Sequence, residues 1–297
     1  ARGWRVVASL LALGHVRSCN AGAVPAFLTQ HNVLPAFARR VSTATSGAHC
    51  TASVKPWSAE VPDDSIRVFL VRHGAVDLTT PGMTFPKNCF YGGHNVPLSA
   101  YGEAEARAAA VMLADEKLDM VFASPLSRAA YGGERVAEKH GLKIVLDDRF
   151  KEVQRGRWLG KTREQINAEY AGDLDNFAKD PEWNEHGGET YRSLSVRVLS
   201  GLDAMLLAAR EAKATKIALV SHMWVTKSIV TNAMNILPED QVKWEEVSIP
   251  TASISVLDFP RDTPPISRRT QVIVVGVKPP ILTQDALDPS TGKPWGG

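Results

Sequence analysis

Two short apolar runs in this sequence each stop at a histidine. Ile66-Arg67-Val68-Phe69-Leu70-Val71 leads into Arg72-His73-Gly74, and Lys216-Ile217-Ala218-Leu219-Val220-Ser221 leads into His222. A neutral imidazole is a nucleophile or proton carrier near neutral pH. The arginine before His73 carries a planar donor fork that matches phosphate oxygens. The glycine after it permits close backbone approach and leaves an amide free to meet an anion. An apolar run of this length reads as a strand, and open α/β sheets bind ligands beyond the carboxyl ends of their strands. Two such strands can aim two histidines at one point. Either histidine read alone could instead be a satisfied core residue; shared placement at strand ends favours the site reading.

The elements that must position these residues alternate between strand and helix from residue 66 onward. That alternation predicts an α/β fold, a three-layer α/β/α sandwich with a mainly parallel central sheet. Strands are expected near 66–71, 118–123, 143–147, 216–221, 252–257 and 271–277. A helix is expected over 101–116, where Ala106, Ala109, Ala110 and Leu113 fall at helical spacing behind Ser99 as N-cap. Others are expected over 127–140, 189–211 and after His222. Gly132-Gly133 sits awkwardly in the second, since each glycine costs about 1 kcal/mol relative to alanine. Segment 79–97, rich in Pro, Gly and Asn, is a long loop leaving the first histidine, and such loops often carry function. The domain is expected over 60–280, with 281–297 a poorly ordered tail.

Composition bounds the function classes. The 297 residues include 44% apolar and 22% charged residues, ordinary for a globular protein. No stretch approaches the ~18 uninterrupted apolar residues of a membrane span. The net charge of +2 is misleading, because every charge before Glu60 is positive: Arg2, Arg5, Arg17, Arg39, Arg40 and Lys55. Setting those six aside leaves 28 basic and 32 acidic residues, which argues against a nucleic-acid surface. The first 59 residues hold ten Ser/Thr and no acid, the composition of a plastid or mitochondrial transit peptide. A secretory signal competes with that reading, because Arg2 and Arg5 precede the apolar run 6–13 and Ala21-Gly22-Ala23 offers small residues for cleavage. The two could act in series, or the segment could be a disordered leader. Three cysteines, two of them in this leader, give neither a disulfide framework nor zinc spacing.

Leu70-Val71-Arg72-His73-Gly74 resembles the signature of the histidine phosphatase superfamily, the phosphoglycerate mutase-like fold. Five further segments follow in order. Tyr91-Gly92-Gly93-His94-Asn95-Val96-Pro97-Leu98-Ser99 with Gly102 and Glu103 is similar to the family's stretch before its first long helix. Ala123-Ser124-Pro125-Leu126-Ser127-Arg128 is similar to its second-arginine motif. Phe150-Lys151-Glu152 with Gly156, Trp158, Gly160 and Thr162 resembles its acidic motif, Gly187-Gly188-Glu189 its entry to a long helix, and Val220-Ser221-His222 its second-histidine motif. The resemblance spans roughly residues 66–258.

That resemblance implies roles. His73 would be the nucleophile, forming a phosphohistidine, and Glu152 the general acid for the leaving alkoxide and then the base for water, which calls for a raised carboxyl pKa. Arg72, Arg128 and protonated His222 would hold the phosphoryl oxygens. Gly74, Thr79, His94 and Met223 are further candidates for substrate contact. No metal or cofactor is implied, and the expected partner is a small phosphorylated substrate rather than nucleic acid or membrane. The chain departs from the family pattern at Ala75, Val76 and Thr79, where a hydroxyl or acidic pair and an asparagine are common, and at Met223-Trp224, where glycines are common. Thr79 can still donate to phosphate, and the bulk of Met223-Trp224 narrows a pocket. Gly156-Arg157-Trp158-Leu159-Gly160 is closer to the phosphatase branch than to the mutases. Hydrolysis of a small phosphomonoester is therefore expected. Mutase-type transfer is the runner-up, and a phospholigand-binding pseudophosphatase is third.

Overall fold

The computed structural model describes residues 55–79, 82, 85–237, 240–262 and 270–295. The chain divides into two units, Ala1–Ala52 and Ser53–Gly297. The first, and with it nearly all of the expected targeting segment, lies outside the described residues.

Six strands form one sheet: β1 (Ser65–Arg72), β2 (Met120–Ala123), β3 (Ile144–Leu146), β4 (Lys216–Ser221), β5 (Ile254–Pro260) and β6 (Gln271–Val277), in the order β3-β2-β4-β1-β5-β6. The first four in that order run parallel, while β5 and β6 close one edge antiparallel. Helices α1 (Ala100–Leu113) and α2 (Ser127–Glu138) cover one face, and α5 (Tyr191–Glu211) and α6 (Met223–Ala233) cover the other. The period-2 alternation of β1 builds the three layers. Ile66, Val68 and Leu70 join Val198, Leu202, Leu206 and Ile229 on the α5/α6 side, and Phe69 and Val71 join Ala109, Leu113 and Val136 on the α1/α2 side.

Each central strand is buried on both faces, which is why the sequence reads as continuous apolar runs. Ser99 caps α1 as expected, its Oγ accepting from the Gly102 amide at 3.0 Å. Gly132 and Gly133 are packing residues inside α2. A Cβ on Gly133 would lie 2.9 Å from Ala123 Cβ, and one on Gly132 would lie 3.1 Å from Val220 Cγ1. The intrinsic helix penalty of the pair is offset by the close approach of α2 to β2 and β4.

Short helices α3 (Arg163–Glu169), α4 (Asp173–Lys179) and α7 (Gln241–Glu246) have no counterpart in the expected elements. Trp158, Ile166, Leu174, Phe177, Tyr191 and Trp244 form a separate aromatic-rich core among them. A helix of two turns lacks enough periodicity to be read from sequence.

Two expected boundaries are corrected. Residues 55–59 belong to the fold rather than to the leader. Trp57 is buried, its indole N–H donates to Glu116 Oε1 at 2.9 Å, Lys55 pairs with the same oxygen at 3.0 Å, and Arg67 donates to the carbonyls of Trp57 and Ala59. At the other end, 281–295 lies against α1 instead of trailing off. Arg107 holds Asp285 through two bonds of 3.1 and 2.8 Å, and Trp295 packs on Tyr101 with ring centroids 5.2 Å apart. Both contacts pair residues over a hundred positions apart, beyond any local composition signal.

Candidate active site

The register of β1 on β4 pairs Arg72 with Ser221, so the next residue on each strand is a histidine. The His73 amide donates to the Ser221 carbonyl at 2.9 Å, and the two imidazoles lie with centroids 5.1 Å apart. On the next strand, the Ser124 amide donates to the Val220 carbonyl at 3.0 Å, which brings the Ser124 hydroxyl within 2.8 Å of His222 Nε2. Three parallel strand ends thus make the floor of the site. Arg128, one residue into α2, is fully buried there. Its two terminal nitrogens donate at 2.7 Å to the carbonyls of His94 and Gly92, and Tyr91 lies under its guanidinium, 5.2 Å from the ring centroid. Arg72 donates to the Ile249 carbonyl at 2.6 Å.

These surroundings fix proton positions. His73 Nδ1 lies 2.7 Å from the Gly74 carbonyl, which can only accept, so Nδ1 carries the proton and Nε2 keeps its lone pair. Burial first, then the charges of Arg128 and Arg72, hold the His73 pKa well below its ordinary value. His222 is lowered as well, by burial and then by Arg128, His73 and Arg72. A phosphate dianion beside it would oppose that shift.

Above the floor a cavity of about 260 Å³ is lined by Arg72, Asn88, Cys89, Phe90, Tyr91, Gly92, Glu152, Arg155, Met223 and Trp224. Glu152 follows the short 3-10 turn Asp148–Phe150 and is 6% exposed. Its Oε1 accepts from the Val153 amide at 2.9 Å and its Oε2 from the Trp224 amide at 3.4 Å. Those bonds tie the carboxylate to the start of α6, directly after His222. Arg155 is 8% exposed, with its guanidinium carbon 5.0 Å from the Phe90 ring centroid and 5.4 Å from that of Trp224.

Two paired strand-end histidines with Arg128 beside them, and Arg72 and Glu152 lining the adjoining cavity, are the constellation the sequence motifs anticipate, and residues 68–271 match the model of the histidine phosphatase superfamily, branch 1. The chain belongs to that superfamily. It is similar to phosphoserine phosphatase 1 of Hydrogenobacter thermophilus, 29% identical over 139 residues, which cover 46% of this chain and 63% of the relative. It is also similar to glucosyl-3-phosphoglycerate phosphatase of Mycobacterium tuberculosis, 30% identical over 131 residues, 44% of this chain and 56% of the relative. The matched stretches thus span less than two thirds of the length of these curated relatives. Among solved structures, a mycobacterial hydrolase superposes with a TM-score of 0.64 at 22% identity, covering 74% of this chain and 94% of its own, a likeness of fold.

Within this superfamily fold, the residues singled out from sequence divide into groups. Arg72, His73, Arg128, Glu152 and His222 converge, and Met223 lines the cavity. Gly74 is buried and is not among the residues lining that cavity, and a Cβ there would lie 2.1 Å from the Gly102 carbonyl oxygen, so glycine lets the loop interlock with the start of α1. Thr79 is exposed, and its amide and hydroxyl both donate to Asp77 Oδ1, at 2.8 and 2.7 Å. The His94 ring is exposed against Phe85, 5.4 Å between centroids, and the residue serves the site through its carbonyl. Two residues were missed. Ser124 stands inside a quoted motif, but only the β2–β4 pairing sets its hydroxyl on His222. Arg155 has no signal beyond its nearness to Glu152.

Proposed function

We propose that the protein hydrolyses the phosphomonoester of a small metabolite through a phosphohistidine on His73. The observation that carries this reading is the His73 tautomer: an imidazole whose pKa is lowered by burial and then by two arginines, with its Nδ1 proton committed to Gly74 and its Nε2 lone pair available beside His222. Nε2 attacks phosphorus, the bond from phosphorus to the ester oxygen breaks, and Glu152 delivers a proton to the leaving alkoxide. Glu152, now a carboxylate, takes a proton from water. The hydroxide attacks the phosphohistidine, releasing phosphate and restoring neutral His73. Charge on the equatorial phosphoryl oxygens is met by Arg72 and Arg128 and by a proton on His222. Ser124 can donate to Nε2 of His222, which puts that proton on Nδ1, an atom without a protein partner among the described residues.

Trapping decides the mechanism. Brief incubation with a labelled phosphoester should yield an acid-labile, base-stable phosphoenzyme in the wild type and none in His73→Ala; label that persists in the variant would sink the covalent route. The fate of the label separates the runner-up, because transfer to water marks a phosphatase and transfer to a phosphoglycerate marks a mutase. We also propose that the acid-free segment before residue 55 directs the chain to an organelle, a reading supported by its composition. A reporter fused to residues 1–59 should enter a plastid or mitochondrion, and a cytosolic reporter would refute this.

A further inference from the structure

A buried arginine in a folded protein is normally paired, because an isolated charge away from water is costly. Arg67, buried, is held by two bonds of 2.8 Å to Asp258. Arg128, buried and without an ion pair among the described residues, is the one assigned above to the phosphoryl group. Arg155 is the other buried arginine left unpaired. At 8% exposure it makes no ion pair with any described carboxylate, and its Nε has no hydrogen-bond partner. Glu152 attracts it but spends its own oxygens on the Val153 and Trp224 amides.

The surroundings hold the side chain in place all the same. Gly92, at φ +41°, leaves room for the arginine stem, since a Cβ there would lie 2.5 Å from Arg155 Cγ. The aromatic rings of Phe90 and Trp224 flank the guanidinium and favour its charge without using its in-plane donors. The group lines the cavity that Arg72 and Glu152 also line.

We propose that Arg155 binds a carboxylate on the alcohol portion of the phosphoester, so that the preferred substrates are short phosphorylated hydroxy acids. This rests on the phosphomonoester reading above. A carboxylate is favoured over a second phosphate because one planar fork matches one planar two-oxygen acceptor of single charge. The volume of about 260 Å³ suits an acid of a few carbons.

The test compares matched phosphoesters on the full chain: 3-phosphoglycerate against glycerol 3-phosphate, and phosphoserine against phosphoethanolamine. The wild type should favour the carboxylate member of each pair in kcat/KM by about 10- to 100-fold, the range of a charge-assisted hydrogen-bonded contact. Arg155→Gln and Arg155→Met should erase that preference, chiefly through KM, while the carboxylate-free members change less than about threefold. Arg155→Lys should restore part of it, having charge without the fork. Equal losses on both members, or no preference in the wild type, would overturn the assignment, as would a stronger Arg155-dependent preference for 2,3-bisphosphoglycerate. If neither member of any pair is hydrolysed, the phosphomonoester reading fails and the assignment with it. Folding of each variant is checked by its thermal transition.

Discussion

The floor of the site and the wall of the cavity above it are built on opposite terms. The floor consists of His73, Ser124 and His222 at the ends of three paired strands, with Arg128 behind them, all at 2% exposure or less. Its groups are anchored by the ladder itself and face one another. The wall comes from segment 88–92, from residues 152–155 and from the first turn of α6, and it exposes Asn88, Phe90, Arg155, Met223 and Trp224 to the cavity. The division teaches where reaction and selection can vary separately. Strand ends fix a reaction to within fractions of an ångström, whereas loops and helix starts change shape without disturbing the sheet.

The sharpest way to break that comparison is to remove the nucleophile. His73→Ala should lower kcat by about 10³-fold or more on every phosphoester tried, and Met223→Ala should alter relative KM values by less than about tenfold. A His73 variant that merely shifts preference among esters would erase the distinction. Next in size, Glu152→Gln should slow alkyl phosphoesters by about 10²- to 10⁴-fold but p-nitrophenyl phosphate far less, since that leaving group needs no proton. Equal loss on both would remove Glu152 from the acid role.

Two further tests address what holds the regions in place. His186 is buried in the aromatic core beside the wall, stacked on Trp158 at 4.2 Å, and burial first, then Arg155, lowers its pKa to about 4. The folded form therefore binds fewer protons than the unfolded chain below pH 6.5, so stability is complete above that value and is lost as pH falls toward 4. The contribution is on the order of 3 kcal/mol. Thermal melts from pH 7.5 to 4.5 should show a drop in Tm that His186→Phe reduces; parallel curves would exclude it. Gly133→Ala pushes a methyl toward Ala123 under the floor and should cost about 1–3 kcal/mol despite the better helix former. An unchanged denaturation midpoint would mean that α2 simply slides. The smallest effect is a pH shift. The acid limb of kcat/KM should lie below pH 6.5, because His73 is depressed, and Arg128→Gln should move it upward by removing a neighbouring cation.

What could be read from the residues followed from local rules. Continuous apolar runs, a Ser N-cap, helical spacing and the order of short motifs gave the strands, the main helices and five converging side chains, because each depends on neighbours within a few positions. Trp57, Asp285 and Trp295 were misjudged because their partners stand far along the chain. Gly74, Thr79 and His94 sit in a loop whose path, not its composition, decides which atoms face the cavity.

The sequence by itself determined the layers, the family and the set of side chains that converge at the candidate site, since patterning and motif order need no third dimension. Only the tertiary structure decided how those groups behave. The pairing of β2 and β4 set Ser124 on His222. Burial in the floor lowered the pKa of both histidines. The rings of Phe90 and Trp224 closed around Arg155 and left its charge unpaired, because burial and approach between distant segments are properties of the assembled fold alone.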